Sequence, residues 1–136
     1  MQAFFSYRDA KGENFIPLWE LRYMEADSNY TLFHLRNKEK KTATGCLCSH
    51  FKQLENLSFF YRIHNSYAAN LLYVQRIENT GTVILTDGTQ LPVSPAEKEK
   101  LNEKMRSLSL CEIFPFLVLL AMNPPQAPST KTQGEK

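Results

Sequence analysis

A chain of 136 residues with a formal charge of +2 fits one domain, with room for a core that needs neither disulfides nor metals. Its composition is that of a soluble globular protein rich in aromatics, and its small charge excludes polyanion binding by bulk positive charge alone. Three cysteines (Cys46, Cys48 and Cys111), with no secretory signal at the N-terminus, lead us to expect reduced thiols and a cytoplasmic location.

Residues 4–7 read as a short strand, ended by a turn at Asp9-Ala10-Lys11-Gly12. Residues 15–17 and 18–25 carry apolar side chains with imperfect alternation, the pattern of strands covered partly on both faces. Ala26-Asp27-Ser28-Asn29 is a turn cluster. Residues 30–36 alternate cleanly, and residues 40–46 return as the second arm of a hairpin. Arg36, Lys38, Lys40 and Lys41 crowd that hairpin's turn against Glu39 alone, giving either a basic patch for a polyanion or a solvated turn. Leu47, Phe51, Leu54 and Leu57 keep helical spacing, predicting a helix of about two to three turns with Ser49 and Lys52 outward. Cys46-x-Cys48-x-His50 overlaps its start, but no second ligand pair follows at usable spacing, so no metal or cofactor is expected.

Residues 59–62 are extended, and residues 66–71 predict a turn of helix. Residues 72–78, 82–86 and 90–93 read as three strands, with Asp87-Gly88 a two-residue hairpin signal. Ser94, Pro95 and Glu97 combine an N-cap, a proline at the first helical position and a capping-box partner. They open a charged helix to about Arg106, with Leu101 and Met105 inward. Ile113-Phe114-Pro115-Phe116-Leu117-Val118-Leu119-Leu120-Ala121-Met122 is a dense apolar run about half the length of a membrane span, interrupted by Pro115. It is a last core element or a docking surface for a second copy or another protein. Residues 123–136 have the composition of a disordered tail. The organisation expected is a domain over 1–106, an apolar segment over 107–122 and a tail over 123–136.

The segment least like a routine strand is Phe60-Tyr61-Arg62-Ile63-His64-Asn65-Ser66-Tyr67-Ala68-Ala69-Asn70. Arg62, His64, Asn65, Ser66 and Asn70 set a run of donors and acceptors between aromatics. That set suits phosphate oxygens and base edges, and equally suits polar groups that cap a turn at a strand end. His34, His50, His64 and Cys48 form no activating arrangement, and no phosphate-binding glycine loop occurs, so the chain is not expected to be an enzyme.

Four segments in order resemble the LytTR family of bacterial DNA-binding domains. They are Leu21-Arg22-Tyr23-Met24-Glu25-Ala26 with Asn29-Tyr30-Thr31, the short helix with Leu47 and Leu54, the segment from Phe60 to Asn70, and Asp87-Gly88-Thr89-Gln90-Leu91-Pro92-Val93-Ser94. The resemblance implies a mainly β fold of packed, sandwich-like sheets with short helices, and a cytoplasmic, response-regulator-like transcription factor. Such a protein binds double-stranded DNA through loops set into successive major grooves. Carried over to this sequence, it places Asn29 and Tyr30 in a first DNA-facing loop and His64 and Asn65 in a second. Arg62 and Ser66 become phosphate-binding or loop-anchoring residues, and Ser94 opens a third contact region. It also implies cooperative dimers on paired sites. The chain departs from the family where arginine commonly follows that serine. Here Pro95-Ala96-Glu97 stand instead, leaving Lys98 as the nearest phosphate ligand with Glu97 against it. Asn65 also stands where lysine or arginine is usual, and Ala69 where valine is, so a different sequence preference or weaker affinity is expected. The alternative is a protein-interaction or dimerisation module on the same fold.

Overall fold

Side chains alternate across a strand, so a strand that is apolar on successive residues must be covered on both sides. The computed structural model, which describes residues 2–122, meets that demand with layers. β1 (Phe4–Asp9) and β2 (Gly12–Pro17) form a hairpin of their own, and a 3-10 turn at Leu18–Glu20 leads out of it. β3 (Leu21–Asp27), β4 (Tyr30–Leu35) and β5 (Lys40–Thr44) follow, then helix α1 (Leu47–Phe51), β6 (Phe60–His64) and β7 (Tyr67–Asn70). These five strands make one antiparallel sheet in the order β5-β4-β3-β7-β6. β8 (Val74–Ile77), β9 (Thr82–Leu85) and β10 (Gln90–Pro92) make a second antiparallel sheet, and helices α2 (Pro95–Ser107) and α3 (Leu110–Met122) complete the described chain.

The five-stranded sheet is the middle layer. Met24, Phe33, Ala43, Phe60 and Ala68 face one way, onto Phe5 and Ile16 of the first hairpin, Leu47 of α1 and Phe116 of α3. Tyr23, Ile63 and Ala69 face the other way, onto Val83, Leu85 and Leu91 of the small sheet and Leu101 of α2. Each large side chain so buried contributes about 1.5–3 kcal/mol. The two-sided covering expected for residues 18–25 is therefore what β3 receives.

Several local expectations are corrected. Residues 66–71 do not form a helical turn. Ala68 and Ala69 pair with Met24 and Tyr23 at the centre of the sheet, and the helical turn comes later, as a 3-10 turn at Leu71–Tyr73. Small residues carry no strong strand preference, so the neighbour β3 decides their conformation. α1 ends at Phe51, and the spacing continues in tight turns, with Leu54 N–H donating to Phe51 O (2.8 Å) and Leu57 N–H to Leu54 O (2.9 Å). The β9–β10 connection spans residues 86–89 rather than two residues, with Asp87 Oδ1 accepting from Thr89 N–H at 3.0 Å. Ser94 does begin α2, but its side chain makes no cap bond: Glu97 N–H donates to Ser94 O at 2.9 Å, and the Glu97 carboxylate accepts from the Tyr61 hydroxyl at 2.7 Å. α3 runs through Pro115, which lies early in the helix and forfeits only one backbone bond. Among the described residues no single helix is long and apolar enough to cross a membrane. The tail expected over 123–136 lies outside the described residues.

The basic turn is also resolved. Lys38 and the buried Arg22 both hold Asp87 Oδ2, Arg36 faces Glu20 at 3.5 Å, and Lys41 faces Glu39 at 3.9 Å. Most of its charges are thus paired within the fold, while Lys40 stays exposed with no ion pair among the described residues.

Candidate nucleic-acid interface

Strand direction and register gather the polar turns. β3 ends at Asp27, and Asp27 pairs with Tyr30, so Ser28 and Asn29 alone make the β3–β4 turn. Glu25 pairs with Tyr67 and His64 with Tyr67, which sets the Asn65-Ser66 turn of β6–β7 beside the end of β3. A backbone bond from Ala26 N–H to Ser66 O at 2.8 Å ties the two turns together. Thr44 pairs with Tyr30, so the end of β5 joins the same rim. Ser94 N–H donates to Ile63 O at 3.0 Å, bringing the start of α2 alongside. The Lys38 turn lies at the other end of β4, on the opposite rim.

Within this rim the residues divide into presented and anchoring groups. Asn29 and Asn65 are exposed, and neither side-chain amide has a hydrogen-bond partner among the described residues. Tyr30 is 49% exposed. His64 accepts from Ser66 N–H through Nδ1 at 3.1 Å, which leaves Nε2 as the donor in the neutral ring. Arg62 donates to the carbonyls of His64 (3.3 Å) and Asn65 (2.8 Å), so its guanidinium clamps the turn it precedes. Ser66 is an anchor through its backbone. Lys98 stands apart from these contacts; it lines a cleft with Asn79, Thr80 and Gly81, facing the β8–β9 turn.

Under the rim lies a polar support. The His34 ring stacks on Tyr23 with centroids 4.1 Å apart and meets Glu25 Oε1 at 2.8 Å, while Tyr67 OH donates to Glu25 Oε2 at 3.4 Å. Burial lowers the His34 pKa, against the opposing pull of Glu25. Burial, followed by the Glu97 carboxylate, pushes the Tyr61 hydroxyl up to about 12. Both groups hold packing together.

Asn70 is separated from the rim. It is fully buried, its Nδ2 donates to Leu21 O at 2.9 Å, and its Oδ1 accepts from Leu72 N–H at 3.0 Å. The turn-capping reading holds for this member of the segment. Asn70→Ala is expected to cost about 2–3 kcal/mol in urea denaturation, because a buried carbonyl and N–H lose their partners.

Sequence reasoning set aside Cys46 and Cys48 when no zinc site could be completed. Among the described residues, no group of three or more His, Cys, Asp or Glu is placed to hold a metal ion. Both thiols nonetheless lie at this rim, directly after β5, and Arg62 acts electrostatically on Cys48. The readable signal was their position just beyond the strand that pairs with Tyr30.

The fold and its rim define a class: a mainly β domain whose hairpin turns gather along one rim. A family model for the LytTr DNA-binding domain matches residues 13–106. Among solved structures, the LytTr DNA-binding domain of a response regulator from Bacillus cereus is similar, with a TM-score of 0.60 and 20% identity, covering 79% of this chain and 100% of that one. No curated protein matches the chain. The chain belongs to the LytTr family, whose domains bind DNA in transcriptional regulators.

Proposed function

We propose that this chain is a cytoplasmic transcriptional regulator that recognises double-stranded DNA by sequence, setting the rim turns into successive major grooves. The observation that carries this reading is the convergence of Asn29 and Asn65, whose amides have no partner among the described residues, with His64 on one rim. Amides pair bidentately with adenine, and an imidazole N–H donates to a purine acceptor. Tyr30 supplies an exposed ring beside Asn29. Arg62 and Ser66 position the second turn, Ser94 sets the third contact region, and Lys98 contacts a flanking phosphate. With no arginine after Ser94, discrimination falls mainly on the amides.

Genomic-fragment selection with the purified chain at about 50 mM salt tests this, since phosphate contacts weaken steeply with salt. Enrichment of a sequence motif is expected. The His64→Ala, Asn65→Ala double variant should lose about tenfold or more in affinity for that motif while keeping its circular dichroism. Recovery of the same fragments by both proteins, or of none, would sink the reading.

One observation favours self-association as an added property. Leu110, Phe114, Val118 and Met122, spaced four apart on α3, are 63%, 55%, 37% and 72% exposed. A stripe of this kind fits a second copy of the chain, as cooperative binding to paired sites requires.

A further inference from the structure

Cys46 Sγ and Cys48 Sγ stand 2.7 Å apart, and both residues are exposed. Leu47, between them, is buried in the core at 2% exposure, so the two thiols project together from a fixed point. His50, the third member of the Cys46-x-Cys48-x-His50 motif, is held elsewhere, with Nε2 at 2.8 Å from Thr44 O and its ring against Phe5 and Phe33. What remains is the chemistry of a dithiol.

We propose that Cys46 and Cys48 form an oxidation site that a peroxide closes to a reversible disulfide, and that closure shifts the Asn29 turn. The disulfide stands on the thiols alone; its link to DNA rests on the function proposed above.

The two thiols are set for different roles. Hydrogen bonds from Cys48 and then Ser49 draw the Cys46 thiol down to about 7, whereas Cys48 is pushed up by its bond to Cys46. Cys46 is therefore the attacking thiolate near neutral pH, and Cys48 the resolving thiol. The Cys46 sulfur attacks one peroxide oxygen, the O–O bond breaks, and one water leaves a sulfenic acid behind. The Cys48 sulfur then bonds to the Cys46 sulfur, the S–O bond breaks, and the hydroxyl leaves as a second water. The sulfurs lose two electrons, the peroxide gains two, and both thiol protons end in water. A ring closed across one residue constrains little of the unfolded chain, and an exposed disulfide is readily reduced, so a thiol reductant reopens it.

The route to the rim is one residue long. Gly45 donates its N–H to Asn29 O at 2.8 Å and accepts at its carbonyl from Thr31 Oγ1 at 2.9 Å. Its φ is +114°, and a Cβ there would lie 3.1 Å from His50 Nε2, so only glycine fits this turn comfortably. Movement of Cys46 on ring closure is passed through that peptide to Asn29 and Tyr30.

The test uses the full chain with Cys111→Ser, so that only the pair can react. Under non-reducing conditions, hydrogen peroxide should remove two hydrogens, about 2 Da by intact mass, and dithiothreitol should restore them. Cys46→Ser should abolish the change, and Cys48→Ser should leave a sulfenic acid that dimedone traps. An unchanged mass, or oxygen addition without loss of hydrogen in the two-cysteine protein, overturns the site. In the second arm, the oxidised chain should bind its selected fragments about fivefold or more weakly than the reduced chain. Equal affinities would overturn the link to the rim and leave the DNA reading standing. Failure of the reduced chain to bind DNA would sink that reading and the link with it, while the mass result still decides the disulfide.

Discussion

Asp87→Ala is expected to remove about 3–5 kcal/mol of folding stability, the usual cost of stripping one partner from a buried ion pair. Arg22 is 5% exposed, and it donates through Nε to Leu35 O at 2.8 Å and through Nη1 to Asp87 Oδ2 at 2.7 Å. Without Asp87 its charge stays buried with no counter-ion, and Lys38 loses its partner as well. The pair also ties the middle sheet to the β9–β10 turn, so the loss reaches both layers. Burial acts to raise the Asp87 pKa, but Lys38, the N–H and hydroxyl of Thr89, and Arg22 outweigh it and hold the carboxyl well below the usual range. A depressed native pKa contributes stability above the unfolded value of about 4, and that contribution is lost as pH falls from there through the native value. Urea denaturation at neutral pH and near pH 3 should therefore show the wild-type advantage over Asp87→Asn shrinking with acid. A difference from Asp87→Ala below about 1 kcal/mol at neutral pH would mean that the pair behaves as a solvated surface bridge.

What the sequence disclosed follows from how local each cause is. The alternation of β4, the two-sided covering of β3 and the start of α2 are written in neighbouring residues, and they were legible. β7 was not, because Ala68 and Ala69 become a strand only through pairing with Met24 and Tyr23, more than forty positions away. Glu97 was read as the partner of Ser94, its neighbour in sequence, and met Tyr61 instead. Lys38 fits either a basic patch or a solvated turn by its neighbours in sequence, and only the fold brings it to Asp87. For the site, family resemblance supplied the residues, but their division into presented and anchoring groups needed tertiary contacts. Asn70 is bound to the backbone of Leu21, and Arg62 is folded back on its own turn. The Cys46–Cys48 pair was visible as spacing, but its proximity to Asn29 depends on a hairpin register that composition does not encode.

Phe116→Ala is expected to cost about 3–5 kcal/mol, whereas Phe114→Ala, two residues earlier on the same helix, should stay within about 0.5 kcal/mol. Phe116 is 2% exposed and stacks at a tilt on Phe59 with centroids 4.6 Å apart. Ile113 and Leu119 flank it against the same core, and α3 lies on the 3-10 turn that carries Trp19. Arg36 adds a bond to Leu120 O at 3.4 Å. The inner face of α3 thus closes the core over the middle sheet. The outer face, through Phe114 and Val118, is exposed. The two substitutions should accordingly separate by measurement: Phe116→Ala in the denaturation midpoint, Phe114→Ala in the concentration dependence of sedimentation. If Phe116→Ala left stability unchanged and altered only association, both faces of α3 would be docking surface and the core would have to be complete without it. That outcome conflicts with Phe59, Leu18 and Leu54, each at most 1% exposed in a cluster that includes Phe116. Uncovering such side chains forfeits about 25 cal/mol for every Å² returned to water, so a helix that covers them is part of the fold.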